Sequence, residues 1–196
     1  MKKTILILMA VIGLTVLSYC KKEPAPTSLE LVLKDDLGNI VPGASVELYS
    51  SETDWNAGTN QIGTTLTSDA SGKVKFTNVS NIKYYWFAEK DCKNNVNGAI
   101  TSASPLTANT TNSINVILTG TGTLKFISTS TNPYRIYING TVAFDMNGGT
   151  TKYQYYTPTG SYSLRVLQLS GYAISPTDKT YTGTLTCGST LVTTFP

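Results

Sequence analysis

The chain has 196 residues and a formal net charge of +3, from 15 Lys and Arg against 12 Asp and Glu. It contains no histidine, which excludes Ser-His-Asp and Cys-His catalysis, histidine metal ligands and an imidazole pH switch. So small a positive charge provides no electrostatic footprint for nucleic acid, and none is expected as a partner. The 12 Tyr and the many Thr favour the pleated surface of a sheet, so the composition predicts an all-β protein.

The N-terminal end has the layout of an export signal. Two lysines precede an uncharged run over residues 4–19, which is shorter than the roughly 20 residues that a membrane-crossing helix needs. The sequence LSYC, which ends at Cys20, resembles the lipobox of bacterial lipoproteins. The resemblance implies a signal peptide over residues 1–19 and a lipid on Cys20 that anchors the protein in a membrane. A plain secretory signal and an uncleaved anchor are the alternatives.

The segment over residues 20–28 is predicted to be the lipidated cysteine and a tether. It holds charge, proline and small polar residues without apolar periodicity, as expected for a linker that holds a folded body off the membrane. Lys21 stands directly after the cysteine, in place of the Asp that often retains lipoproteins at the inner membrane. The resemblance therefore implies an outer-membrane lipoprotein, either periplasmic or surface-exposed.

Residues 29–118 show short alternating apolar runs separated by turn residues. The run LELVLK places its leucines on one face, and KYYWFAE, the most apolar run, is predicted to be a central strand covered on both sides. The sequences LVLKDDLGNIVPGASVELYS, TTLTSDASGKVKFTNV and KYYWFAEK together resemble the transthyretin-like sandwich of carboxypeptidase regulatory-like domains. That resemblance implies an accessory module of exported bacterial proteins, used for spacing, docking or binding.

Residues 121–196 continue the pattern of short strands. Asn139-Gly140 predicts a hairpin with a type I′ turn, because both central residues of that turn need positive φ. The order GTLKFIS, YRIYING and TGSYSLRVLQLSGY is similar to PEGA-type domains, which are also accessory modules. No stretch keeps a period of 3.6 over the length of a helix. The predicted fold is all-β, with two consecutive antiparallel β-sandwiches of transthyretin-like or Ig-like type and little or no helix.

Three cysteines occur in the chain, and lipidation of Cys20 leaves two. An exported location permits a disulfide between Cys92 and Cys187, which is the pairing that we predict. Two separate buried thiols are the alternative, because sequence spacing does not establish proximity.

Acidic residues are the chemistry that survives without histidine or a free thiol, since glycoside hydrolysis needs only a paired acid and base. The candidate pairs are Glu52 with Asp54, Glu89 with Asp91, and Asp145 with Asp178. Solvated loop charges explain them more simply. The run KDDLGN lacks the spacing of a calcium-binding loop and is predicted to be a turn. The sequence predicts no catalytic residue, no metal site and no cofactor.

The first unit also resembles collagen-adhesin B-type domains, which form a Lys-to-Asn isopeptide crosslink beside a buried acid. The resemblance implies Lys34, Glu89 and Asn115 as the three groups. Lys34 alternates outward from the neighbouring leucines, which favours a solvated side chain. The crosslink would require all three groups to be desolvated together.

Aromatic residues are the remaining sign of a ligand site. Tyr153 and Tyr155 are predicted to share a strand face about 7 Å apart, a spacing compatible with stacking on successive sugar rings. Trp55, in a polar loop, is a second exposed candidate. Alternatively, these rings cover the edge of their own core or the junction between the two units.

Together these observations predict an exported, lipid-anchored protein of the cell envelope that is not an enzyme. Its expected role is binding or scaffolding, with a glycan or an envelope protein as the ligand. The alternatives are a glycan hydrolase subunit that uses loop carboxylates and a purely structural spacer.

Overall fold

A computed structural model describes residues 23–196, so the predicted signal peptide and Cys20 lie outside the described residues. Over this range the chain forms 13 strands and one short helix, which confirms the predicted all-β sandwich class. The helix, α1, spans Glu52–Ala57. The strands are β1 (Ser28–Asp35), β2 (Ser45–Tyr49), β3 (Leu66–Thr67), β4 (Lys73–Thr77), β5 (Tyr85–Lys90), β6 (Lys93–Asn94), β7 (Thr111–Ser128), β8 (Tyr134–Ile138), β9 (Thr141–Met146), β10 (Thr151–Pro158), β11 (Gly160–Gln168), β12 (Asp178–Leu185) and β13 (Thr190–Phe195). No helix within residues 23–196 is both long and apolar enough to cross a membrane.

Alternation of side chains sets which face of each strand is buried. In β1 the three leucines Leu29, Leu31 and Leu33 are fully buried, as the period of two predicts. The turn between β8 and β9 also agrees with the sequence, because Asn139 and Gly140 have φ values of 49° and 82°. The alternation of apolar residues therefore sets which face of a strand is buried, and the turn residues set where the chain reverses direction.

Strand β7, with 18 residues, is the longest of the described strands and pairs with four others, β1, β6, β10 and β13. Its first part, residues 111–118, pairs in parallel with β1, and residues 119–120 pair with β6. Its last part pairs with β10 on one side and in parallel with β13 on the other. The two parallel ladders differ from the antiparallel arrangement that the sequence predicts. The boundary predicted between residues 118 and 121 lies inside this continuous strand.

Two separate hydrophobic cores lie along β7. The N-terminal region, residues 23–120, has a core whose buried members are Leu29, Leu31, Leu33, Ala44, Val46, Leu48, Val74, Phe76, Tyr84, Trp86, Ala88, Leu106, Val116 and Leu118. The C-terminal region, residues 121–196, has a core whose buried members are Leu124, Phe126, Tyr134, Ile136, Met146, Leu164, Val166, Leu185 and Phe195. A four-stranded sheet in the order β12-β11-β8-β9 closes this second core against β10, β7 and β13. The domain bounds themselves stay a prediction.

The predicted disulfide is confirmed and links the two regions. Cys92 lies in the turn between β5 and β6, and Cys187 lies in the turn between β12 and β13. Their Cα atoms are 5.5 Å apart although the residues are separated by 95 positions. The N-terminal and C-terminal regions are therefore joined twice, once through β7 and once through this bridge.

Helix α1 corrects the prediction that Trp55 lies in a polar loop. Ser51 caps the helix, because its hydroxyl accepts a hydrogen bond from the Asp54 N–H at 3.1 Å. Gly58 ends it in the left-handed conformation with φ 61°. Six residues are too few to show the periodicity of a helix, so only the capping residues at its two ends signal it in the sequence.

Candidate functional site

The predicted tyrosine pair lies on β10, an edge strand that pairs only with β7 among the described strands. The rings of Tyr153 and Tyr155 stack on each other with centroids 5.6 Å apart and planes within 4° of parallel. They are therefore closer than the 7 Å or so expected from strand spacing alone. Both are exposed, at 44% and 63%, and Lys125 places its Nζ 5.4 Å from the centre of the Tyr153 ring.

A β-bulge interrupts β10 between Gln154 and Thr157 and includes Tyr155 of this pair. Gln154 lies opposite Leu124 and Thr157 lies opposite Gly122, so the β10 side of the ladder has one residue more than the β7 side. Within the bulge Tyr156 has φ 51°, a left-handed conformation that costs a non-glycine residue about 1–3 kcal/mol. The ring of Tyr156 lies 5.9 Å from that of Phe87 in an edge-to-face contact. Through the bulge, Tyr156 of the C-terminal region contacts Phe87 of the N-terminal region.

An inter-region hydrogen bond holds the bulge in place. Asn97 donates from Nδ2 to the carbonyl oxygen of Tyr156 at 2.9 Å. Sequence reasoning missed the role of Tyr156. A signal existed, because the double tyrosine in YQYYTP breaks the alternation of its strand.

Trp55 is half-buried and anchored from α1. Its indole Nε1 donates to the carbonyl oxygen of Trp86 at 3.0 Å, which holds the helix against the outer side of β5. Trp55 and Tyr156 line one cavity of about 400 Å³ between α1, β2, β5 and the bulge, which we call the junction cavity. Its other lining residues are Glu47, Tyr49, Asn56, Ala57, Gly58, Phe87 and Val96. The structure thus brings Trp55 together with Tyr156, a residue that the sequence did not nominate.

A carboxylate and a phenol among the lining residues of the junction cavity form a hydrogen bond with each other. The hydroxyl of Tyr49 donates to Oε2 of Glu47 at 2.5 Å. Burial of the Tyr49 phenol, together with this hydrogen bond and the negative charge of Glu47, raises the pKa of Tyr49 to about 12. Tyr49 therefore stays a neutral donor to Glu47 across the physiological pH range.

A second cavity of about 490 Å³ lies beside the Cys92–Cys187 bridge, and we call it the disulfide cavity. Glu89 and Asp91 line it together with Tyr155 and Tyr156. This is the place where one of the carboxylate pairs nominated for hydrolysis meets aromatic side chains.

The structure separates Asp145 from Asp178. Asp145 and Asp178 lie on β9 and β12, at opposite edges of the four-stranded sheet, and each accepts two hydrogen bonds from one arginine. Hydrogen bonds from Arg135 and Arg165 hold the pKa of these two carboxyl groups below the ordinary range. A general acid in glycoside hydrolysis needs a raised pKa, so the environment of this pair does not fit that role.

Two further acidic segments have local structural tasks. Asp54 accepts hydrogen bonds from Ser51 and Asn60, which lower its pKa and fasten the start of α1 to the loop after it. Asp35 accepts hydrogen bonds from the N–H groups of Leu37 and Asn39, which close the turn after β1. Within residues 23–196 no group of three or more potential ligands of the His, Cys, Asp and Glu types comes together around a common point.

The three isopeptide candidates do not meet in a buried place. Lys34 and Asn115 lie on the same side of the β1–β7 ladder, opposite Ile117 and Val32 respectively. Glu89 lies on β5, and β6 and β7 separate that strand from β1. Asn115 and Glu89 are both exposed, so the desolvation that the reaction requires is absent at these positions.

Comparison with known proteins gives only distant likenesses. No protein-family model matches the chain, and no curated protein matches it. The chain is similar to a streptococcal ancillary pilin, with 16% identity over 89% of this chain and 63% of that one and a TM-score of 0.41. It is also similar to the Bacillus anthracis TIE protein, with 12% identity over 87% of this chain and 34% of that one and a TM-score of 0.38.

A third likeness is to GBS52, the minor pilin of Streptococcus agalactiae, with 16% identity over 86% of this chain and 94% of that one and a TM-score of 0.35. The chain spans less than two thirds of the length of the ancillary pilin and about a third of the TIE protein. With TM-scores this low, these likenesses assign neither a family nor a function. The transthyretin-like and PEGA-like resemblances stay predictions.

Proposed function

We propose that the protein is a non-enzymatic binding module of the bacterial cell envelope, and that Tyr153 and Tyr155 form its glycan-binding surface. The observation that carries this proposal is the exposed, stacked pair of nearly parallel tyrosine rings on the edge strand β10. An aromatic face offers a large apolar contact area to the apolar face of a sugar ring. Such a surface needs no catalytic group.

Stacking of the two rings favours binding for a second reason. Each ring restricts the rotamers of the other, so less side-chain entropy is lost when a ligand orders them. The cross-strand neighbour Lys125 is also held beside Tyr153, where its Nζ can donate to sugar hydroxyl oxygens or meet an anionic substituent. The pair and the lysine together form a small, pre-ordered platform.

Location in the envelope is supported by the N-terminal sequence. A lipid on Cys20 and the tether over residues 20–28 would place this platform at a membrane surface, with the outer membrane as the expected site. Cys20→Ser should move the protein from the membrane fraction to the soluble fraction of the cell envelope. Retention of that variant in the membrane would contradict the lipid anchor.

Glycan binding is tested on an array with the wild-type protein and three single variants. Tyr155→Ala and Tyr153→Ala should each weaken binding by about tenfold, since one aromatic contact has that order of strength. Tyr172→Ala is the matched control, because Tyr172 is 48% exposed in the segment after β11, outside the platform. Equal loss in the control, or no glycan bound by the wild type, would contradict the proposal.

The same array separates the alternatives. A purely structural spacer would bind no glycan and leave all arrayed glycans intact. A hydrolase would shorten its ligand, and Asp91→Asn, in the disulfide cavity, should then abolish that turnover.

A further inference from the structure

The junction cavity combines four aromatic side chains, one of them Tyr49, with one carboxylate. Trp55 comes from α1, Phe87 comes from the outer side of β5, and Tyr156 comes from the bulge in β10. Glu47 lies directly opposite Phe87 in the β2–β5 ladder, so its carboxylate and the Phe87 ring share one side of the sheet. Residues from both regions of the molecule are thus needed to build this cavity.

No basic side chain within residues 23–196 pairs with Glu47 in this cavity. Among residues 23–196, none of the ion pairs involves Glu47, and its Oε1 atom accepts no hydrogen bond. No lysine or arginine of the described part of the chain lines the cavity. The adjoining helix α1 adds Glu52 and Asp54 and carries no basic residue. The electrostatic environment of the cavity is therefore negative.

Aromatic faces and a carboxylate together select for organic cations. A cation close to the face of an aromatic ring is attracted by the quadrupole of the ring, and this attraction grows when the site is desolvated. A primary ammonium would need acceptors for three N–H donors, whereas Glu47 has one oxygen free of hydrogen bonds and the rest of the lining is largely aromatic or aliphatic. A quaternary ammonium requires no acceptor.

We propose that the junction cavity binds a quaternary ammonium group of the trimethylammonium type, with Glu47 as its counter-ion and Trp55, Phe87 and Tyr156 as its aromatic wall. A volume of about 400 Å³ is large enough for such a headgroup and lies in the range of small-molecule pockets. This site is separate from the glycan platform, since neither Tyr153 nor Tyr155 lines the cavity.

The backbone of the bulge is what positions the wall. Tyr156 adopts φ 51°, and the hydrogen bond from Asn97 to its carbonyl oxygen holds that conformation. A strained residue held by a partner from another part of the chain is a recurring feature of binding sites. The strain here has a defined result, because it turns the Tyr156 ring toward Phe87 and Trp55.

Choline chloride is the probe that tests this proposal, and the readout is the N–H NMR spectrum of the wild-type protein. The chain has two tryptophans, so two indole N–H signals report separately on the cavity and on the buried core. Choline should shift the Trp55 signal in a saturable way and leave the Trp86 signal in place. The uncharged analogue with a tert-butyl group in place of the trimethylammonium group should produce no such shift.

Variants identify the counter-ion. Glu47→Gln should weaken choline binding by about tenfold or more, because the ion pair and the field across the aromatic wall are both lost. Glu52→Gln is the matched control, since Glu52 is exposed on α1 and does not line the cavity. An unchanged pattern of backbone N–H signals shows that each variant is folded.

Three outcomes would overturn the proposal: no saturable shift with choline, an equal shift with the uncharged analogue, or equal weakening by Glu47→Gln and Glu52→Gln. The outcome is independent of the glycan platform. Tyr155→Ala should leave choline binding unchanged, and Glu47→Gln should leave glycan binding unchanged, so each proposal can fail alone.

Discussion

Aromatic residues at β5 in the N-terminal region and on the edge strand β10 in the C-terminal region lie in opposite environments, although both regions bury aromatic rings in their cores. In the N-terminal region Tyr84 and Trp86 are buried at 3% and 0% exposure, inside a core of leucines and valines. In the C-terminal region the edge strand β10 is exposed on both faces from Thr151 through Tyr156. The difference shows that a chain rich in tyrosine can place its rings in a core or on a surface, depending on whether the strand is covered.

Coverage follows from position in the sheet. Strand β5 lies between β2 and β6 and is partly covered by α1, whereas β10 pairs with β7 alone among the described strands. A covered strand hides its aromatic rings, and an edge strand is free to present them. The junction cavity lies where the two regions meet. Phe87, from the covered strand β5, and Tyr156, from the edge strand β10, both line it.

Among the changes considered, removal of the Cys92–Cys187 bridge should lower the free energy of unfolding most. In the chain-entropy model a loop of about 100 residues contributes about 4.7 kcal/mol, so Cys92→Ser with Cys187→Ser should lower the free energy of unfolding by nearly that amount. Urea unfolding measures the change, and the reduced wild-type protein is the control. A midpoint unchanged from the oxidised wild type would show that β7 alone couples the two regions.

Truncation of the buried Trp86 side chain should have the second-largest effect on the free energy of unfolding. Trp86→Ala should destabilise the fold by about 3–5 kcal/mol, because the residue is fully buried and its Nε1 bonds to the carbonyl oxygen of Ala99. Tyr155→Ala, which removes an exposed ring, should change the free energy of unfolding by no more than about 0.5 kcal/mol. Thermal or urea unfolding compares the two, and similar losses would contradict the contrast between core and edge aromatics.

A methyl group added at Gly122 of β7, where this strand passes close to the β12–β13 turn, should have an intermediate effect on the free energy of unfolding. A Cβ added at Gly122 would lie 2.7 Å from the Ser189 carbonyl oxygen and 2.8 Å from Leu185 Cδ1, so Gly122→Ala should cost about 1–3 kcal/mol. At Gly98 the nearest atom would be 3.5 Å away, and Gly98→Ala should stay within about 0.5 kcal/mol of the wild type. Equal urea midpoints for the two variants would show that β7 and the β12–β13 turn can move apart.

Loss of the two arginine–aspartate pairs of the C-terminal region in acid should produce the smallest effect on the free energy of unfolding. The arginine partners hold the pKa of Asp145 and Asp178 below its unfolded value, so the stabilisation is present at neutral pH and is lost as pH falls below about 5. Asp145→Asn with Asp178→Asn should therefore flatten the dependence of the urea midpoint on pH in the acid range. The effect is small because both pairs are exposed.

Asp36→Asn is the control for that measurement, since Asp36 is exposed in the turn after β1 and forms none of the ion pairs of residues 23–196. Its acid profile should follow the wild type. A flattened profile in this control as well would attribute the pH dependence to the total charge of the protein.

Much of the fold is predictable from local pattern. Alternation in LELVLK places Leu29, Leu31 and Leu33 in the core, and Asn139-Gly140 marks the β8–β9 hairpin. The disulfide was predicted from the export signal and the cysteine count. The first two of these inferences depend on near neighbours in the chain, and the third depends on the number of cysteines.

The features that build the candidate sites are not local. Nothing in the sequence TNSINVILTGTGTLKFIS states that one strand of 18 residues will pair with β1 in parallel at one end and with β13 in parallel at the other. Helix α1 is too short for a periodicity test, and its link to Trp86 depends on a contact over 31 positions. The bulge at Tyr156 depends on the ladder with β7.

The sequence by itself determined the all-β class, the main turns and the absence of imidazole chemistry, because composition and a period of two act through neighbouring residues. Tertiary structure alone decided that Trp55 is half-buried on a helix and that Tyr156 faces Phe87 across the junction. The physical reason is that burial of a side chain depends on what covers its strand, and the covering elements come from distant parts of the chain.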